Sequence, residues 1–485
     1  MKYRSLWSLP SIIGFCIFWV QLATSALALE KSPTVFIHAD LIPMTTEVVL
    51  HDQTVVVDGR QISFVGPASQ TEIPQNAKVI DCRNTYLMPG LADMHMHLRY
   101  NWMSNAWPVS PLKLYLANGV TTIRCFGPDG KTGRYGLHWR KEINAGLLDG
   151  PAILTCGPML RGHFDEDPAN IVIRQKYQGF DFLKIYSFVT REEFHTIMTT
   201  AKKLDFYTAG HIPFQVGLDG VLAEGMDEIA HIEEFLWEFA DFDRRRYFES
   251  EGEWMTYATR TAFDRFAPYL KRAPGERERQ LEALAAGNAK QLESRSVPVC
   301  TTLVVDDVIV QKLFDPDQFL RKPENRYLPA AYLERIRKGR EKHQLQFKGG
   351  EDFAPLKYSL DKKLLTALKA KNIPLPLCTD AGTGGMGIVP GFSLHDELKI
   401  LTENGFTPYE ALAAGTVVAS QIVRRMKRKD DFGTIEAGKR ADLIQLKENP
   451  LEDVANIRKI LGVMAAGRWY DQEALAEMLL HKRQK

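Results

Sequence analysis

At 485 residues the chain is too long for one small core, and its length suits two or three domains or a single barrel with additions. Lys plus Arg number 61 against 60 for Asp plus Glu, so there is no global basic field, and nucleic acid is excluded as a partner. The six cysteines are widely spaced and include no C-x-x-C pair, which argues against a disulfide framework or a thiolate zinc site and for buried free thiols.

The N-terminus reads differently from the rest. Lys2 and Arg4 precede an apolar run from Ile12 to Val20, and the small-residue site Ala26-Leu27-Ala28 follows. This three-part layout predicts a secretory signal peptide over residues 1–28. The run is short against the ~20 residues that a membrane-spanning helix needs, although an uncleaved anchor is the alternative. Cys16 lacks the small residues expected before a lipid-bearing cysteine. The expectation is an exported protein, periplasmic or secreted, with no stable membrane partner after cleavage.

Residues 29–88 carry short alternating runs and turns, with Asp58-Gly59 placed as a hairpin signal inside QTVVVDGRQISFVG. The same texture returns over residues 428–485, in FGTIEAGKRADLIQLKENP and KILGVMAAGRWYD. Neither piece buries much core alone, so the two chain ends are expected to build one small β-sandwich.

Residues 89–427 alternate short apolar runs with amphipathic segments, the pattern of parallel βα units. The fold class is therefore α/β, with a (β/α)8 TIM-like barrel expected here. In TREEFHTIMTTAKKL, Thr190 and Glu193 form a capping box, and Phe194, Ile197, Ala201 and Leu204 share one helical face. FYTAGHI, DEIAHI, VPVCTTLVV and IPLPLCTD read as further strands. A charged, aromatic-rich helical insertion lies between Glu233 and Ser296, and a second charged stretch runs from Phe314 to Lys363. Barrel insertions supply lids and substrate walls, so Trp237 and Trp254 are expected to face a pocket.

The stretch PGLADMHMHL carries the main chemical signal. Strand alternation places Asp93, His95 and His97 on one side, so two imidazoles converge on one spot and can hold one metal ion. Four more residues fall at predicted strand ends: Lys184 in FLKIY, His211 in AGHIP, His231 in EIAHIEE and Asp380 in PLCTDAG. Alone, each has an ordinary explanation as a surface charge, a satisfied polar group or a turn former. In the order HxH, K, H, H, D along successive barrel strands, they argue for a metal centre.

Through these motifs, together with GTIEAGKRADLIQL and GVMAAGRWY, the chain resembles the amidohydrolase superfamily, and more closely its imidazolonepropionase-like and prolidase-like hydrolases. The resemblance implies that His95, His97 and Asp380 hold one divalent ion and His211 and His231 a second, zinc being expected. Lys184 matches the bridging lysine, whose carbamate offers an anionic oxygen pair that an ammonium cannot. A metal-bridging hydroxide would then attack the substrate, with Asp380 passing a proton to the leaving nitrogen.

Tyr186, two positions beyond Lys184, is expected to touch the reacting group, while Arg161 and His163 in GPMLRGHF end the predicted third strand near substrate. In PGFSLHDEL, helix capping explains Ser393 but leaves His395 without a role. The implied reaction is cleavage of a C–N bond in an amide, dipeptide or cyclic amide. A lactonase, a phosphotriesterase-like hydrolase and a catalytically silent binding protein are the rival readings. The partner is a small molecule or short peptide, and a homo-oligomer is compatible with the sequence. N-terminal sequencing of protein from its native host is expected to begin at Leu29; an intact Met1 in a membrane fraction would contradict cleavage.

Overall fold

The computed structural model describes residues 32–104, 107–130, 132–239, 242–383, 385–429 and 431–480. The expected signal segment therefore lies outside the described residues. Among the described residues, no helix is long and apolar enough to cross a membrane.

Fourteen strands are described, in chain order β1 (Thr34–Leu41), β2 (Leu50–Asp58), β3 (Gln61–Pro67), β4 (Lys78–Asp81), β5 (Tyr86–Pro89), β6 (Leu91–Met96), β7 (Val120–Cys125), β8 (Ala152–Thr155), β9 (Leu183–Ile185), β10 (Thr208–Gly210), β11 (Glu228–Ile229), β12 (Leu443–Leu446), β13 (Ile460–Ala465) and β14 (Arg468–Asp471). Strands from both chain ends share one eight-stranded sheet in the order β14-β13-β12-β5-β1-β2-β3, with β4 alongside β1. Asp58 and Gly59 turn β2 into β3 as the sequence predicts, and Gly59 takes the positive φ of 57° that this turn requires.

The two chain ends do build one small β-unit, as a single hydrogen-bonded sheet. The sheet curls, so that the residues leading into β12 reach its far edge: the Ile62 amide donates to the Lys439 carbonyl at 2.9 Å and the Ala441 amide to Arg60 at 2.9 Å. Phe36, Val55, Ile62, Leu87, Leu443 and Met464 pack inside the curl.

The middle of the chain is a mixed α/β assembly containing two three-stranded parallel sheets, β6-β7-β8 and β11-β10-β9. Helix Arg191–Lys203 follows β9 and carries the predicted capping box; it buries Phe194, Ile197 and Ala201 and leaves Leu204 half-buried.

VPVCTTLVV and IPLPLCTD do not form regular strands. Pro298, Pro374 and Pro376 have no N–H to give a ladder, and Val304 already begins a helix. Their carbonyls still accept neighbouring amides, Ile229 to Pro298 at 2.9 Å and Val299 to Pro374 at 3.1 Å. The Asp380 amide donates to the His95 carbonyl at 2.8 Å, which ties the second segment to β6.

Inside the parallel assembly, Ala92, Met94, Phe126, Phe182, Tyr207 and Cys300 pack together. Beneath them lies a fully buried ion pair, with Arg124 donating to Glu228 at 2.8 and 2.5 Å. Tyr207 and Cys300 also donate to this carboxylate, at 2.9 and 3.2 Å, and Arg124 Nε donates to the Met94 carbonyl at 2.8 Å. The five cysteines within the described residues are free and buried.

Removing one member of such a pair strands a charge in an apolar interior, at a cost of about 3–5 kcal/mol. Glu228→Gln is therefore expected to lower the free energy of urea unfolding by about that amount, and Arg124→Met combined with Glu228→Met to recover part of the loss. An unchanged unfolding midpoint for Glu228→Gln would show that the pair carries no such weight.

Candidate metal centre

β6 ends in Asp93, His95 and His97, but simple alternation fails there. The pairing of β6 with β7 shifts register between Asp93 and Met96, so Asp93 does not share a face with the histidines. Its carboxylate instead accepts from the Thr379 hydroxyl at 2.6 Å, the Thr379 amide at 3.2 Å and Tyr115 at 3.4 Å. Burial pushes this carboxyl up to about 7 against those hydrogen bonds. Asp93 is thus a strap fastening β6 to the segment that carries Asp380.

His95, His97 and Asp380 offer ligand atoms that all lie within 4.8 Å of one another. The Asp380 Oδ1 atom stands 2.8 Å from His97 Nε2 and 3.5 Å from His95 Nε2. Asp380 takes a positive φ of 60°, an uncommon conformation that aspartate tolerates, and Thr383 donates to its Oδ2 at 2.8 Å. Burial acts to raise its carboxyl, but His97, His231 and the Thr383 hydrogen bond outweigh burial and hold it below the usual carboxylate range. Gly382 is required two residues on, because a Cβ there would sit 2.1 Å from the His97 carbonyl oxygen.

His211 and His231 follow β10 and β11. Gly210 lets β10 approach β9, since a Cβ would meet the Ile185 oxygen at 2.2 Å. Ring centroids run in a chain, His97 to His95 at 5.4 Å, His95 to His231 at 4.3 Å and His231 to His211 at 4.9 Å.

In each of these four histidines, Nδ1 faces an oxygen. His95 meets the Ala230 carbonyl at 2.9 Å and His97 the Gly127 carbonyl at 3.0 Å. His211 meets Glu234 at 2.9 Å, with Ser187 Oγ at 2.7 Å, and His231 has Glu233 at 3.2 Å. In His95, His97 and His211 an Nδ1 proton engaged this way leaves Nε2 as the lone-pair nitrogen, the arrangement in which imidazole binds a metal, whereas His231 Nδ1 lies near Glu233 without a hydrogen bond. Burial, followed by neighbouring positive charge, pushes His95 and His211 well below the ordinary histidine value. Both rings are therefore neutral at neutral pH.

Lys184 on β9 is buried with its amine 5.0 Å from the centre of the Phe126 ring, and that ring stacks on His95 at 4.0 Å. Burial lowers the amine to about 8, against the attraction of Asp380 and Glu234. Lys184 Nζ, His95 Nε2 and Asp380 Oδ1 are buried without a hydrogen-bond partner in the protein. Buried polar atoms rarely lack partners, so these three orphans fit a set of donors turned towards a cation. The six residues expected from the sequence thus bring four imidazoles, a carboxylate and a desolvated amine together, a donor set that suits divalent ions.

Tyr186 borders the cluster, its ring 4.2 Å from that of His211, and the Arg161 guanidinium lies 4.5 Å above the Tyr186 ring. His163 stands further out. β8 ends at Thr155, so Arg161 and His163 lie in the loop beyond it, and His163 is exposed with its ring edge-on to Phe188 and Tyr247 at 5.6 and 5.4 Å.

His395 has no place in the site. Its Nε2 donates to the Asn118 carbonyl at 2.9 Å, docking helix Phe392–Glu403 on its neighbour. Ser393 is not the cap of that helix, which is Gly391; its hydroxyl accepts from the Val389 amide at 2.8 Å. The carboxylates Glu233 and Glu234 had a readable signal in the AHIEE run, as acids two and three residues beyond a candidate ligand.

The model of the amidohydrolase family matches residues 361–470. The resemblance to amidohydrolases is borne out.

An adenine deaminase from Ruegeria sp. (strain TM1040) is 27% identical over 103 residues, 21% of this chain and 17% of that protein. The chain thus spans about a sixth of the length of this curated relative. At the level of fold, a Xaa-Pro dipeptidase with bound methionine in its active site superposes with a TM-score of 0.61 at 19% identity, covering 91% of this chain and 100% of the other. A bottromycin amidohydrolase gives 0.63 at 21% identity, covering 92% and 88%. The amidohydrolase fold therefore extends over nine-tenths of the chain.

Proposed function

We propose that the chain is a binuclear metal-dependent hydrolase cleaving a carbon–nitrogen bond in an amide, dipeptide or cyclic amide. The observation that carries this reading is the set of four buried histidines, three of them hydrogen-bonded at Nδ1, around the unpartnered Lys184 amine and the Asp380 carboxylate. The dipeptidase and amidohydrolase neighbours support the C–N assignment.

In this reading His95, His97 and Asp380 hold one divalent ion and His211 and His231 the other, zinc being the first choice. The two parallel sheets and the proline-bearing segments close into one (β/α)8 barrel around them, a reading supported by the amide-to-carbonyl bonds at Pro298, Pro374 and His95. Export to the periplasm or medium belongs to the same proposal.

Lys184 would serve these ions as a carbamate. Its neutral amine would attack the carbon of CO₂ and lose a proton, giving one negative charge shared over two oxygens in place of an ammonium. A value near 8 keeps a usable share of free amine at neutral pH.

When bound, the ions supply activation of water near neutral pH and polarisation of the scissile carbonyl. Asp380, ionised and with Oδ1 unpartnered, takes the proton released as water oxygen bonds to the carbonyl carbon. It then delivers that proton to the nitrogen as the C–N bond breaks. Tyr186, stacked between Arg161 and His211, lies at the rim where the substrate carbonyl would enter.

Metal analysis of active protein is expected to give two ions per chain. Lys184→Ala should lose most activity and regain part of it with a short carboxylic acid; a fully active protein with one ion overturns the bridge. Asp380→Asn keeps the shape but cannot carry a proton, so turnover should fall at least ~100-fold while bound metal changes far less. Activity within a few-fold of the parent, with both ions bound, would remove Asp380 from the mechanism.

A further inference from the structure

We propose that the cavity running from His211 into the helical insertions is a side-chain pocket selecting substrates with an aromatic group next to the scissile bond. This rests on the hydrolase reading above. The cavity measures about 270 Å³. Tyr186 and His211 line its inner end, and Trp237, Trp254, Ile309 and Phe353 line the rest.

Size and shape set the first limit. Small-molecule sites run from about 300 to 1,000 Å³, so this one suits a single ring-sized group rather than an extended chain. Its two indoles stand 5.6 Å apart at 64°, an edge-to-face corner that a third ring can complete. Trp254 is 3% exposed and braced from behind by Phe188 and Phe214 at 6.0 and 6.5 Å, so the corner is rigid before anything enters.

Charge sets the second limit. Lys357 lines the cavity, but its ammonium is taken by Asp306 at 2.6 Å and Asp361 at 2.7 Å, while Glu233 accepts from Thr302 at 2.9 Å. Most of the buried charge is thereby committed within the wall; Asp306 Oδ2 and the exposed Lys342 remain at the lining, so the apolar corner of the two indoles, not an ion pair, is the feature the wall offers in depth. Two buried ring nitrogens of lining residues, Trp254 Nε1 and His343 Nδ1, have no hydrogen-bond partner in the protein. They suit the polar edge of a substrate, an amide or a ring heteroatom.

The walls come from helices Glu251–Leu270, Val304–Phe314, Ala330–Gln346 and Phe353–Ala370, whereas the candidate metal ligands sit on or just beyond strands and the 374–381 segment. Apart from its inner end at Tyr186 and His211, the pocket is therefore built from helical segments, Trp237 on helix Leu236–Phe239 among them, and these positions can be altered without replacing a candidate ligand.

The test is a series of N-acetyl amino acids and dipeptides bearing Gly, Leu, Phe or Trp on either side of the amide, given to metal-loaded full-length protein. We expect kcat/KM for the Phe or Trp members to exceed that for Gly by at least ~100-fold. Ile309→Trp fills the cavity from a half-buried wall position and should erase that preference while glycine substrates stay within a few-fold. Trp237→Ala, which opens the corner, is the second variant should the first not fold.

Equal rates across the series, or a preference for charged side chains, would overturn the pocket and leave the hydrolase reading standing. No turnover on any member would instead count against the hydrolase reading. The pocket is then judged by calorimetry with N-acetylphenylalaninamide and N-acetylglycinamide. It stands if the aromatic ligand binds at least ~10-fold tighter and Ile309→Trp removes the difference, and falls otherwise.

Discussion

Four imidazoles, a lysine amine and a carboxylate are gathered where water hardly reaches, and the architecture around them answers the cost of that burial. An unpaired polar group in an apolar interior costs about 1–3 kcal/mol, and a charged one more. The fold meets this cost on one side only. The Ala230 and Gly127 carbonyls, the Ser187 hydroxyl and the Glu234 carboxylate engage the outer nitrogens of His95, His97 and His211, so the inner atoms are left facing one another. A cation joining such a cluster would offset part of that cost, so metal binding at this candidate site would also favour the folded state.

Below the cluster, Phe126 works as a partition. One face stacks on His95, and the Arg124 guanidinium lies 4.6 Å from the ring centre. A permanently charged guanidinium so close to a cation site would oppose metal binding, were it not neutralised in place by Glu228. The lower ion pair and the upper ligand set are thus two solutions to the same problem of charge in a dry interior, separated by one aromatic ring.

The motifs readable in the sequence were those whose chemistry is local. HxH, the capping box at Thr190 and the Asp58-Gly59 turn depend on a few adjacent residues and appear where expected. What failed needed information from elsewhere in the chain. Asp93 leaves the histidine face because the β6 register slips to meet Thr379, a partner 286 positions away. The segments before Thr301 and Asp380 looked like strands because they are apolar, yet their prolines forbid a regular ladder, and only their carbonyls join the neighbours. The shared sheet followed from the likeness of the two chain ends, but its curl depends on the contact between Ile62 and Lys439, which no local pattern encodes.

That sheet also bears on how the chain reaches its folded state. β5 runs straight into β6 and the histidine pair, and one of its two neighbours is β12, whose residues come more than 350 positions later. Until those arrive, the strand that anchors the metal centre is an open edge, available to any other extended chain. Pairing over so long a separation is slow, because loop closure must be met before the contact rewards it. The C-terminal strands therefore act as a clasp: the vessel for the chemistry is secured only when the last tenth of the polypeptide has been made.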